Sequence, residues 1–155
     1  REVLQIGGDG VVEYHASDNE PSRYPVDTSS NTQIVEATYA LAAATVGRAC
    51  GQARLYLFGI EEAEDGIYVR YGYLLNGTPV ALSQGAAASF LIQDGQITQY
   101  VLRFRNYEEA GTTSPVLRER LAAAALGELS PGGGELILCY TDSGSEEVRA
   151  GWMAR

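Results

Sequence analysis

The stretch FLIQDGQITQY, residues 90–100, decides how this chain is expected to fold. Two apolar runs flank Asp94-Gly95, a dipeptide that favours the tight turn of a β-hairpin. Much the same phrase, LQIGGDGVVEY, occupies residues 4–14, where Gly and Asp again separate two apolar runs. We therefore expect two similar hairpins, one at the start of the chain and one in its second half.

A helical pattern follows each of these hairpins. Over residues 32–48 apolar side chains recur at helical spacing, and Ser30 or Asn31 is available as the N-cap. The second pattern covers residues 114–129, with Ser114 as N-cap and Pro115 at the first helical position. The polar segment 16–31, which contains two prolines, is expected to be an exposed loop.

Two further strand patterns follow each helix, at residues 53–61 and 66–75 and then at residues 135–141 and 148–154. This order predicts an α+β fold of two ββαββ units, residues 1–80 and 81–155, each laying one helix on a small antiparallel sheet. The two units could also form one continuous domain. The alternative is a single larger mixed sheet, whose hairpins look alike because Asp-Gly is a common turn.

Composition narrows the classes of function. Among 155 residues, 45% are hydrophobic, which is enough for a core, and 20 acidic residues outweigh 11 basic ones, for a net charge of -9. Such a surface repels nucleic acid and anionic lipid. No run approaches the roughly 20 apolar residues of a membrane span. Because the chain does not begin with Met, we expect a segment of a longer protein, which an anchor or signal could precede.

No motif predicts catalysis, a cofactor or a metal. The single histidine, His15, belongs to no catalytic signature, and the acidic run 61–65 lacks the ligand spacing of a calcium loop. Cys50 and Cys139 fit no metal spacing and are expected to be reduced and buried, with a disulfide as the alternative. A small hydrolase that uses His15 or an acidic pair is the less favoured hypothesis.

Five residues form the candidate interaction surface. Tyr71 and Tyr73 share one face of an alternating strand, with Arg70 opposite, and could provide cross-strand packing or an exposed recognition patch. Arg103 and Arg105 also share a strand face and could grip the carboxylates of a partner, or could pair with neighbouring acids of the chain itself.

Residues 66–107, with an aromatic strand, an NGTPV turn and the pattern DGQITQY, resemble the YycH and YycI regulatory proteins and their PepSY-like architecture. The last hairpin, which contains AGWMA, resembles these proteins more weakly. The resemblance carries over turn-forming positions alone, namely Asn76, Gly77, Pro79, Asp94 and Gly95.

The resemblance implies a non-catalytic, extracytoplasmic module, tethered by an N-terminal membrane helix, that modulates a sensor histidine kinase by contact. The expected partner is thus another protein. The alternative within the same architecture is a module that binds peptides or restrains a peptidase, with an exposed edge strand that captures an extended peptide.

Overall fold

The computed structural model describes residues 2–109, 134–145 and 148–154. Within these ranges the chain forms nine strands and one bent helix, so the described part is mostly sheet. The helix consists of α1 (Asn31–Ala44) and α2 (Val46–Ala49). The strands are β1 (Val3–Ile6), β2 (Val11–His15), β3 (Arg54–Ala63), β4 (Gly66–Leu75), β5 (Thr78–Leu82), β6 (Ala88–Gln93), β7 (Gln96–Arg103), β8 (Leu136–Asp142) and β9 (Arg149–Ala154).

All nine strands of the described part belong to one mixed sheet, in which the order is β1-β2-β7-β6-β4-β5-β8-β9 and β3 also pairs with β4. Neighbours are antiparallel except β5 and β8, which are parallel. The hairpin turns match the sequence prediction, because Asn76 and Asp94 have φ of 52° and each precedes a Gly with positive φ.

The sheet forks at β4. β3 pairs along almost the whole of one side of β4. On the other side, β6 pairs with Ile67–Tyr71 and β5 with Tyr73–Leu75. Two branches therefore leave the same side of β4: the first branch runs through β6, β7, β2 and β1, and the second branch runs through β5, β8 and β9.

The prediction of two ββαββ units is wrong. The first hairpin does not stay with the first helix, since β2 pairs with β7 from Val11↔Arg103 to His15↔Gln99. Strands of the two predicted halves also pair directly in the centre, where β4 joins β6. The physical reason is that a local hairpin pattern does not say which outer edge will meet which, and an unpaired edge gains hydrogen bonds from any suitable strand.

The alternative from the sequence, a single larger mixed sheet, is the observed arrangement. The predicted boundary between residues 80 and 81 falls inside β5. The second predicted helix, residues 114–129, lies outside the described residues.

The first predicted helix is confirmed. Ser30 is its N-cap, and its Oγ accepts a hydrogen bond of 3.3 Å from the Gln33 amide. Ile34, Thr38, Ala42 and Val46 recur at four-residue spacing and are buried, so this stripe faces the sheet. The helix bends at Thr45, whose Oγ1 donates 2.7 Å to the Leu41 carbonyl.

The helix covers one face of the central strands. Tyr71 of β4 is fully buried there, and its hydroxyl lies 2.8 Å from Thr38 Oγ1 and donates 3.2 Å to the Val35 carbonyl. Because side chains alternate along a strand, Tyr68 and Arg70 lie on the opposite face, which we call the open face. The core is correspondingly on the helix face, where Tyr71, Tyr73, Val69 and Phe90 are buried.

We expect Gly51→Ala to lower the free energy of unfolding by about 2 kcal/mol. Gly51 has a φ of +64°, and an added Cβ would lie 2.2 Å from Asn106 Oδ1 and 2.4 Å from the Tyr107 carbonyl oxygen. Gly77→Ala is the matched control, since Gly77 also has positive φ (+74°) but its Cβ would meet no atom within 4 Å. Urea denaturation of both variants measures the effect, and equal losses would show that the contact at Gly51 is unimportant.

Candidate functional site

The fork of the sheet opens a cleft between its two branches. This fork cleft has a volume of about 410 Å³. The first branch contributes Val11 and Arg103 to its wall, and the second branch contributes Leu82 and Asp142. The β1–β2 turn, the segment after β7 and the loops after β5 and β8 supply the other residues of the wall, namely Gly8, Asp9, Phe104, Arg105, Ser83, Gln84, Ser143 and Gly144.

A buried carboxylate ties the two branches together at the base of this cleft. Asp142 is 2% exposed. Arg105 approaches it with two nitrogens, Nε at 2.6 Å from Oδ2 and Nη2 at 3.0 Å from Oδ1. The Tyr107 hydroxyl donates 2.6 Å to Oδ2, and the Gly144 amide donates 2.9 Å to Oδ1. Both carboxylate oxygens are therefore engaged by the protein itself.

The charge states of this network follow from its contacts. Burial raises the pKa of Asp142, but the hydrogen bonds from Tyr107, Arg105 and the Gly144 amide outweigh burial and hold the pKa below its ordinary value. Burial and the hydrogen bond to Asp142 raise the pKa of Tyr107 well above its ordinary value. At neutral pH the site thus holds an ionised carboxylate, a guanidinium and a protonated phenol.

Arg103 differs from Arg105 because the described residues supply few acceptors for it. Its Nη1 donates 3.1 Å to the Ala86 carbonyl, while its Nε is buried without a hydrogen-bond partner. Its backbone is held firmly, since its amide donates 2.8 Å to the Ala87 carbonyl and its own carbonyl accepts 2.7 Å from the Tyr73 hydroxyl. The guanidinium therefore has a defined position on the cleft wall.

The open face of β3 and β4 carries an aromatic patch, formed by Tyr56, Phe58, Tyr68 and Arg70. The Tyr56 and Phe58 ring centroids are 6.4 Å apart, and the Arg70 Cζ lies 5.3 Å from the Tyr68 ring centroid. Phe58 is the extra residue of a β-bulge, where the register shifts between Leu57↔Tyr71 and Gly59↔Arg70. It is 62% exposed, and Leu57 beside it is 42% exposed.

An acidic turn adjoins the aromatic patch. The Arg70 Nη1 donates 3.2 Å to Glu61 Oε2, and the Tyr68 hydroxyl donates to the Asp65 carboxylate. Glu62 and Glu64 lie in the same β3–β4 turn region and are exposed. The patch is therefore an apolar and cationic centre beside a negatively charged edge.

The structure separates the five residues of the predicted interaction surface. Tyr71 and Tyr73 are fully buried, so they form no exposed patch. They pack in the core, which is the alternative that the sequence analysis gave for them. Arg70 belongs to the aromatic patch, whereas Arg103 and Arg105 line the fork cleft. Arg105 pairs with Asp142, which is the alternative that the sequence left open for the arginine pair.

Sequence reasoning missed Phe58 and Asp142. Nothing local marks the bulge at Phe58, which depends on the register with β4. A weak signal existed for Asp142, because an acid at the end of a largely apolar strand is a position where burial demands a partner. The partner itself, 37 residues earlier, is beyond any local pattern.

The other candidate groups neither line the fork cleft nor belong to the aromatic patch. His15 is exposed at the end of β2, and Cys50 and Cys139 are free and buried, as predicted. Burial raises the pKa of both thiols. In the part of the chain that the structure describes, no three His, Cys, Asp or Glu side chains are grouped to hold a metal ion. No helix in that part has the length and apolar character needed to cross a bilayer.

Comparison of this chain with protein families, with curated proteins and with solved structures finds no match.

Proposed function

We propose that this chain is a non-catalytic module that binds another protein through the aromatic patch. The observation that carries the proposal is the exposure of Phe58, which is 62% exposed, contacts the Tyr56 ring and lies on the strand that pairs with the Tyr68–Arg70 segment of β4. Aromatic and Arg side chains dominate the energetics of protein interfaces, and exposed apolar clusters mark interaction sites. The patch also lies on the open face of the sheet, and such an exposed face suits a protein surface better than a small molecule.

Charge defines the chemistry of the partner. Glu61, Glu62, Glu64 and Asp65 border the patch, and the chain as a whole has a net charge of -9. A complementary surface has an apolar side chain that packs on Phe58 and basic side chains around it. The partner is therefore a protein with a basic, partly apolar face.

The absence of catalysis is part of the same proposal. The single histidine lies exposed at a strand end, and the buried carboxylate Asp142 already accepts hydrogen bonds from Arg105, Tyr107 and Gly144. A carboxylate with both oxygens engaged is poorly available as a base or nucleophile. These two observations support a binding function over a hydrolytic one.

The resemblance of residues 66–107 to YycH and YycI supplies the finer proposal. On that basis the partner is the extracytoplasmic part of a sensor histidine kinase, and the chain acts outside the membrane as the tethered part of a longer protein. The sequence resemblance alone supports this partner and this location, since the two-unit architecture that accompanied it is not the fold of the described chain.

A second candidate is peptide binding by strand addition to β3. This ten-residue strand pairs with β4 alone among the described strands, so its outer edge offers backbone groups to an extended peptide. The bulge at Phe58 interrupts that edge, which disfavours a continuous ladder. Main-chain hydrogen bonds would dominate such binding, so a change of the Phe58 side chain would weaken it only slightly.

We expect a photoreactive amino acid at position 58 to form one discrete cross-linked adduct with a partner protein in intact cells that produce the chain. The same probe at Ile6, which is 75% exposed on β1, is the matched control and is expected to form none. With the partner purified, Phe58→Ser should weaken binding at least tenfold, about 1.4 kcal/mol, while Ile6→Ser changes it less than twofold. Equal adducts from both positions, or tight binding by Phe58→Ser, would contradict the proposal.

A further inference from the structure

We propose that the fork cleft binds a carboxylate group through Arg103. This site shares no residue with the aromatic patch, so the inference goes beyond the proposed function. It concerns a ligand small enough to enter a volume of about 410 Å³, which lies near the lower end of the roughly 300–1,000 Å³ of small-molecule pockets.

The described residues use only part of the hydrogen-bonding capacity of Arg103. A guanidinium carries five N–H donors. Among the described residues this guanidinium donates to the Ala86 carbonyl through Nη1, and its Nε is buried without a partner, so a ligand in the cleft would meet the terminal nitrogens. No Asp or Glu oxygen of the described residues lies within 4.0 Å of Arg103, in contrast to Arg23, Arg70 and Arg105, which each have a carboxylate partner. The positive charge of Arg103 is thus not neutralised by an ion pair in the described part of the chain.

The two carboxylates of the cleft wall already accept hydrogen bonds from the protein. Asp142 is held by Arg105 with two hydrogen bonds, so it does not compete for Arg103. Asp9 Oδ1 accepts 3.2 Å from the Val11 amide in the exposed β1–β2 turn. As far as the described residues go, Arg103 is thus a cation of the cleft that is held in place and has no ion-pair partner.

The guanidinium of Arg103 lies where a glycine of the neighbouring backbone leaves room for it. Gly85, whose φ is +109°, lets the Arg103 guanidinium come close to the backbone. A Cβ at position 85 would lie 3.3 Å from the guanidinium carbon and from both terminal nitrogens. Ser83, Gln84 and Ser143, which also line the cleft, have side chains that can donate further hydrogen bonds. A planar guanidinium beside such donors matches the planar carboxylate.

Charge selects a carboxylate over a phosphate. The chain has a net charge of -9, and this field opposes the entry of a dianion more than that of a monoanion. Two sources present such a group at this size, a small organic acid and the C-terminus of a short peptide.

The test uses the whole chain and two probes, N-acetyl-alanyl-alanine and its C-terminal amide, titrated by calorimetry and by NMR up to about 10 mM. We expect the acid to bind at least tenfold more tightly than the amide. Arg103→Gln should weaken binding of the acid at least tenfold, whereas Arg70→Gln, a charge loss on the aromatic patch, should leave it within twofold. Acetate that binds as tightly as the dipeptide identifies a small acid as the source, and weaker acetate binding identifies a peptide C-terminus.

A second variant protects the test against a folding defect in Arg103→Gln. Ser143 is exposed on the cleft wall, so Ser143→Trp fills the cleft without removing the guanidinium and should also weaken binding at least tenfold. Three results would overturn the proposal: equal affinity for acid and amide, acid binding that survives Ser143→Trp, or tighter binding of inorganic phosphate than of the acid.

Discussion

Asp142→Ala is expected to lower the free energy of unfolding by about 3 kcal/mol, because it removes the carboxylate partner of the Arg105 guanidinium and the acceptor of the Tyr107 hydroxyl. Asp142 is 2% exposed and joins β8 of the second branch to the segment that follows β7 of the first. The matched control is Glu61→Gln, which breaks the exposed ion pair with Arg70 and should cost less than about 0.5 kcal/mol. Urea denaturation at pH 7 measures both variants.

The ion pair of Asp142 with Arg105 also predicts that the free energy of unfolding depends on pH. The pKa of Asp142 is held below its ordinary value in the folded protein, whereas in the unfolded chain it is about 3.9. The contribution of the ionised carboxylate is therefore present above pH 4 and is lost as the pH falls through the lowered folded pKa. The stability difference between the unmodified chain and Asp142→Asn should shrink between pH 5 and pH 2. A difference that is unchanged at pH 2 would contradict this linkage.

Tyr71→Ala is expected to lower the free energy of unfolding by about 4 kcal/mol, since it removes a fully buried ring. That ring lies 5.9 Å from Tyr39 and 6.1 Å from Phe90, between the helix and the sheet. Tyr68→Ala, three residues earlier on the open face, should cost less than about 1 kcal/mol. Tyr71→Phe should cost about 1 kcal/mol, because Thr38 keeps its hydrogen bond to the Ile34 carbonyl.

Chemical denaturation of the three tyrosine variants measures these differences. The comparison also separates stability from binding, since Tyr68→Ala should weaken partner binding while the fold stays intact. If Tyr68→Ala and Tyr71→Ala cost the same, the assignment of the helix face and the open face would be wrong.

Local features of this fold were predictable because short-range forces determine them. Ser30 caps the helix through its own side chain, and Asp94-Gly95 and Asn76-Gly77 adopt the positive φ that tight hairpins require. The burial of Cys50 and Cys139 follows similarly from the apolar character of the thiol.

The candidate site was predictable only in part. The alternation of β4 correctly placed Tyr71 and Tyr73 on one face, but both faces of that strand carry tyrosine, so the pattern did not say which face the helix covers. Arg103 and Arg105 were identified by residue type, yet only the contact of Arg105 with Asp142 distinguishes the two. Phe58 became a candidate once the bulge placed it in solvent.

By itself, the sequence determined the helix of residues 31–49, the hairpin turns, the acidic surface and the alternation of strand faces, because each depends on neighbours within a few residues. The tertiary structure decided that β2 pairs with β7, that β4 carries two branches on one side, and that Asp142 meets Arg105. The β2–β7 pairing and the Asp142–Arg105 contact join residues 37 to 92 positions apart, and all of these arrangements depend on the burial and hydrogen bonding of the whole sheet. Both candidate sites arise from the pairing of strands in the folded sheet. The fork cleft follows from the branching at β4, and the aromatic patch follows from the bulged register of β3 on β4.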